Sequence, residues 1–84
     1  MPENNKPPPG FDEQKFRTNL LAKFPALKKT QLDLLVLIRQ EMSEWQAAKI
    51  LGVSDRTVES RCYHIRKKMG LKTEENLVTF LKTF

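Results

Sequence analysis

The stretch Ser43-Glu44-Trp45-Gln46-Ala47-Ala48-Lys49-Ile50-Leu51-Gly52-Val53-Ser54-Asp55-Arg56-Thr57-Val58 decides the fold of this chain. It reads as a short capped helix, a tight turn and the start of a longer helix. Ser43 offers a hydroxyl to an orphan N–H of the next turn, and Gln46 three residues on completes a capping-box pattern. The helix over Glu44–Leu51 ends at Gly52, a residue type that enters the left-handed region without strain. Ser54 caps the next helix, Asp55–Met69, and Gly70 closes it. Asp55 in its first turn and Arg66, Lys67 and Lys68 in its last complement the helix dipole. Ala48 is small enough for the second helix to cross closely over the first, with Val53 and Val58 as apolar wedges. The arrangement is that of a helix-turn-helix unit.

The faces of the longer helix differ. Val58, Cys62, Ile65 and Met69 recur at i, i+4, i+7 and i+11 and predict a buried stripe. Opposite them stand Arg56, Ser60, Tyr63 and Lys67, with Glu59 and Arg66 beside them and Arg61, His64 and Lys68 flanking. From Asp55 to Lys68 there are five Lys/Arg and two acids, a local excess of +3 within a chain whose net charge is +5. A basic helix with one apolar stripe inward and hydrogen-bonding side chains outward suits a reader of the DNA major groove. Arginine, lysine and helix N-termini would supply the phosphate contacts.

The remaining segments also have helical spacing. Phe16, Leu20, Phe24 and Leu27 recur at helical spacing close to one face, and the N-terminal helix expected within residues 11–26 is stopped by Pro25 near Lys23. A second helix is expected over Lys29–Gln40. Leu32, Leu35 and Ile38 form its inner stripe and Leu34, Val36 and Leu37 widen it, which makes it the most buried helix. Thr73 is expected to cap a last helix from Glu74 to about Lys82. No segment alternates as a strand would, so the chain is expected to be all-α. Pro7-Pro8-Pro9-Gly10 resists helix and strand alike. Residues 1–10 are therefore expected to be a disordered lead or linker, or an end with no role of its own.

Composition sets the outer bounds. The chain has 84 residues, 39% hydrophobic and 30% charged, which holds one domain at most. No apolar run approaches the roughly 18 residues of a membrane span, and the polar, Pro-rich start is unlike a secretory signal. The expected location is cytoplasmic. The single cysteine, Cys62, cannot form an internal disulfide. It lies on the inward stripe and is expected to be a small core residue. His64 has no partner at metal-ligand spacing, so a backbone or phosphate contact is expected and no metal or other cofactor. Nucleophile, base and orienting group are not found together, so no enzyme is expected.

Residues 27–84 resemble the LuxR-type (GerE-like) helix-turn-helix domain of bacterial transcription regulators. The resemblance rests on Leu27, Gln31, Leu34, Leu35, Ser43, Ala48, Leu51, Val53, Ser54, Thr57, Val58, Ile65, Lys68, Met69, Gly70 and Leu77. Phe24-Pro25-Ala26-Leu27 and the Val58-Glu59, Tyr63 and Arg66-Lys67-Lys68 positions are similar to those of Bacteroidetes-type sensor regulators. In these the domain sits at the C-terminus behind a sensor or repeat region. The resemblance implies four helices, here with an additional N-terminal helix. It implies sequence-specific binding of double-stranded DNA, and pairing of two copies through the last helix.

Carried over by position, Glu59, Ser60 and Tyr63 would face base edges, and Arg56, Thr57, Lys67 and Lys68 would serve phosphates. Arg61 and His64 flank the same surface and join the phosphate set. Lys28 stands where the family usually has Thr, Gln31 where it has Glu, and Glu59 where many members carry Lys. An acid in the groove can still accept from cytosine N4.

Several residues admit two readings. Trp45 either lies against the DNA backbone or covers the N-terminal helix, and packing is favoured because large aromatics are mostly buried. Val78, Leu81 and Phe84 form the candidate dimer face, against plain core packing of Leu77 and Leu81. The Phe16, Leu20 and Phe24 stripe packs on the domain or docks a sensor region or partner protein. Two functions compete with the regulator. One is region 4 of a sigma factor, which shares the motif. The other is a protein-interaction module that kept the fold and lost DNA binding, a reading to which Glu59 and the apolar last helix lend support.

Overall fold

The computed structural model describes residues 10–72 and 74–84. The expected Pro-rich lead, save Gly10, and the expected Thr73 cap lie outside the described residues. Five helices follow one another: α1 Glu13–Lys23, α2 Lys29–Arg39, α3 Glu44–Leu51, α4 Asp55–Met69 and α5 Leu77–Leu81. The described residues contain no strand.

Local signals explain most of the boundaries. Asp12 caps α1, its carboxylate accepting from the Lys15 amide at 3.1 Å. Lys28 begins α2 with its own amide donating to Gln31 Oε1 at 2.9 Å. Ser43 and Gln46 form the reciprocal box at the start of α3, at 3.2 and 2.9 Å. Gly52 and Gly70 follow α3 and α4 with φ of 72° and 71°. A Cβ there would be strained by the backbone alone. Glu41 occupies the same left-handed region at φ 64° after α2, where glycine is the usual residue.

The end of the chain departs from expectation. The last helix starts at Leu77, three residues later than its acidic pair suggested, and Asn76 caps it through the Thr79 amide at 3.1 Å. Glu75 is instead spent on a turn, where Oε1 accepts from the Lys72 amide at 2.8 Å.

The core gathers around α2, which touches each of the other four helices. Leu20, Leu34, Leu35, Val58, Ile65 and Leu81 are its largest fully enclosed side chains. Phe16 and Leu20 bring α1 into this same core. Arg17 ties α1 to α2 at the surface by donating to Asp33 Oδ1 at 2.8 Å. Its own charge is favoured by Asp33 and Glu13, which raise its pKa against the opposing effect of partial burial.

Leu81 is fully buried in this core. That corrects its expected place on a dimer face, because a side chain with no accessible surface offers nothing to a second copy. Val78 and Phe84 remain half-buried. Phe84 stacks obliquely against Phe24 and Phe80, with centroids 6.1 and 5.4 Å apart.

Candidate nucleic-acid interface

The site is built from α3, its turn and α4. Ala47 and Ala48 are buried where α3 crosses α4. The Val53 amide donates back to the Ala48 carbonyl at 3.0 Å and closes the turn. Ser54 Oγ then accepts from the Thr57 amide at 3.1 Å and shares a hydrogen bond with its hydroxyl at 3.0 Å. These bonds fix the start of α4. Its rotation is fixed by Val58, Cys62, Ile65 and Met69, all four buried as the periodicity expected.

With that stripe inward, Arg56, Glu59, Ser60, Tyr63, His64, Lys67 and Lys68 are exposed. Tyr63 is 57% exposed, high for an aromatic. Lys67 Nζ stands 5.2 Å from its ring centroid, a cation–π contact one helical turn long. The His64 ring meets Tyr63 edge-on at 5.5 Å. His64 Nδ1 lies 2.8 Å from the Ser60 carbonyl, which can only accept, so this nitrogen carries the hydrogen and Nε2 is left to the outside. Thr57 and Arg61 are half-buried on one flank.

Two of the basic residues are committed elsewhere. Lys68 Nζ donates to the Ala26 carbonyl and to Gln31 Oε1, both at 3.0 Å. Two of its three donors are thus used within the protein, while the side chain itself stays exposed. Arg66 donates to the carbonyls of Lys72 and Glu75 at 3.2 and 2.8 Å, and so holds the connection from α4 to α5. No short-range signal in the sequence marks the Gln31 cradle for Lys68. The only local hint was a glutamine where related domains carry an acid.

Cys62 is 7% exposed at the floor of a groove shared with Ser43, Glu44 and Arg66. Burial pushes its thiol up to about 11, the nearby Glu44 carboxylate adds to this and Arg66 opposes it. A thiol held protonated in this way is a poor nucleophile at neutral pH. The same groove places the start of α3 beside the middle of α4. Trp45 near that start is 55% exposed, which corrects the expectation that it packs on the body. Its neighbours Ala47 and Ala48 take the inward positions, so the face left to Trp45 is the outer one. Among the described residues no group of three potential metal-ligating side chains occurs.

A short helix, a left-handed glycine turn and a longer basic helix with an exposed polar stripe define a helix-turn-helix domain of the DNA-binding class. Residues 25–81 match the family described as bacterial regulatory proteins, luxR family, and the chain belongs to that family. Comparisons with curated proteins and with solved structures gave no match. As a member of the family the chain is a DNA-binding regulatory module and not an enzyme. No helix among the described residues is long and apolar enough to cross a membrane.

Proposed function

We propose that α4 enters the major groove of double-stranded DNA and reads sequence there as part of a bacterial transcription regulator. The observation that carries this reading is the exposed stripe Arg56, Ser60, Tyr63 and Lys67, set opposite four buried residues on one helix. Glu59, Ser60 and Tyr63 would face base edges, with Glu59 accepting from cytosine N4. Arg56 and Lys67 would grip phosphates, with Thr57, Arg61 and His64 at the margin and Lys68 held back from them by its bonds to Ala26 and Gln31.

In this reading residues 27–84 form the binding unit and α1 braces it. A second copy pairs through Val78 and Phe84, so that two recognition helices meet half-sites about one helical turn apart. A sensor region or partner protein on the N-terminal side would govern when binding occurs. A chromosomal target gives a cytoplasmic site of action.

The test is selection of bound sequences from a random duplex pool, repeated across salt. A sequence-specific reader returns an enriched motif and an affinity that falls steeply with salt. Absence of duplex binding at low salt, together with stable association with a protein partner, would replace the reading by that of an interaction module.

A further inference from the structure

Two aromatic rings in the helix-turn-helix unit are more than half exposed, Trp45 on α3 and Tyr63 on α4. Each has a lysine one turn later across its ring. Lys49 Nζ lies 5.0 Å from the Trp45 centroid, and Lys67 Nζ lies 5.2 Å from that of Tyr63. An exposed tryptophan costs solvation of a large apolar surface, and nothing in the core needs it there, since Ala47, Ala48 and Leu51 make the inward contacts of α3. The groove lined by Ser43, Glu44, Cys62 and Arg66 puts the first turn of α3 alongside the middle of α4. In a docked helix-turn-helix unit the first helix crosses the sugar–phosphate backbone.

From this placement we infer that Trp45 and Lys49 form a second, sequence-independent grip on one DNA strand, beside the groove that α4 occupies. The indole N–H is a donor only and suits a non-bridging phosphate oxygen. The ring face suits a deoxyribose, and the ammonium held over the ring neutralises the same phosphate or the next one. The cation–π contact keeps Lys49 near that position before DNA arrives, which lowers the side-chain entropy lost on binding. Glu44 on the preceding residue sets a limit on this grip, because its carboxylate repels a phosphate placed too close to the helix start. This inference rests on the DNA-binding reading of α4 and adds a contact that reading does not include.

Trp45 is the only tryptophan, so its emission reports on this position alone. The experiment titrates the whole chain with a random-sequence duplex of about two helical turns at low salt. It follows duplex anisotropy and acrylamide quenching of Trp45 in the same samples. The expected result is loss of acrylamide access to Trp45 with the same saturation as the anisotropy. Lys49→Ala should lower the slope of log affinity against log salt by about 0.9, and Trp45→Phe should weaken binding about five-fold. Duplex binding with Trp45 still open to acrylamide, or with an unchanged salt slope in Lys49→Ala, overturns the inference and leaves the α4 reading intact. No duplex binding at all overturns both. The quenching measurement uses the unaltered protein, so it does not depend on the variants folding.

Discussion

The basic residues of α4 fall into two groups that the sequence writes alike. Arg66 and Lys68 turn to backbone carbonyls and to Gln31, and hold α4 to α2 and to the segment that follows it. Arg56 and Lys67 turn away from the body, Lys67 over the exposed Tyr63 ring. Lys67 and Lys68 are adjacent, yet about 100° of helical rotation separates them, and that decides whether an acceptor within the fold is in reach. A count of positive charges on a helix is therefore an upper bound on its phosphate contacts. The cations that position the reader have to be subtracted from those that do the reading.

The largest effect should come from removing the platform common to both groups. Ile65 is fully buried in the middle of the inward stripe. Ile65→Ala should cost about 2–5 kcal/mol of stability, read as a lower midpoint in urea or heat, with duplex affinity lost in parallel as the fold loosens. An unchanged midpoint would mean that the stripe does not fix the rotation of α4, and the division between the groups would lose its basis.

A smaller and more selective change separates the groups. Lys68→Ala should cost about 1 kcal/mol of stability through the loss of two charge-assisted hydrogen bonds, discounted because the ammonium is partly solvated. The salt slope of duplex binding in this variant should match that of the unaltered chain. Gln31→Ala should reproduce the stability loss, because Oε1 serves both Lys68 and the Lys28 amide. A reduced salt slope with unchanged stability in Lys68→Ala would move Lys68 into the DNA-binding group.

How much of this was legible in the sequence follows from the range of each interaction. The Ser43, Gly52, Ser54 and Gly70 caps act over three or four residues, and the bounds Asp55–Met69 were readable from them. The inward stripe was readable because the helical period is fixed. The internal bonds of Lys68 are not legible in the sequence, because its acceptors lie 37 and 42 residues away, on α2 and ahead of it. Leu81 was misread for a similar reason. The depth of a leucine in a short terminal helix depends on α2 packing over it, which its own neighbours in sequence do not encode. Trp45 was assigned by the average behaviour of tryptophan, although the alanines beside it had already claimed the inward face.

Lys67→Ala is the reciprocal of the lysine change one residue away. It should leave the unfolding midpoint nearly untouched, within about 0.5 kcal/mol, because among the described residues the ammonium meets the Tyr63 ring and makes no hydrogen bond or ion pair. The salt slope should fall by about 0.9 and affinity should drop alike for selected and random duplexes. Tyr63→Ala, on the other side of that contact, should reduce discrimination between them. Equal losses on both duplexes for Tyr63→Ala would place the ring at a phosphate instead of a base.

The smallest expected effect is a pH dependence that belongs to the inward side alone. The Cys62 thiol titrates at about 11 in the folded chain, above its ordinary value of 9.0, chiefly because it is buried. A raised folded pKa means that the protonated thiol favours the folded state. That contribution is complete below about pH 9, where folded and unfolded thiols are both protonated, and is lost as pH rises from 9 towards 11. The stability of the unaltered chain should therefore decline faster over that window than that of Cys62→Ala, when both are measured by urea unfolding at matched pH. All other groups are common to both proteins, so their contributions cancel in the difference. Parallel pH profiles would show the thiol to be as solvated in the folded chain as in the unfolded one, and would place Cys62 at the open edge of the groove rather than on its floor.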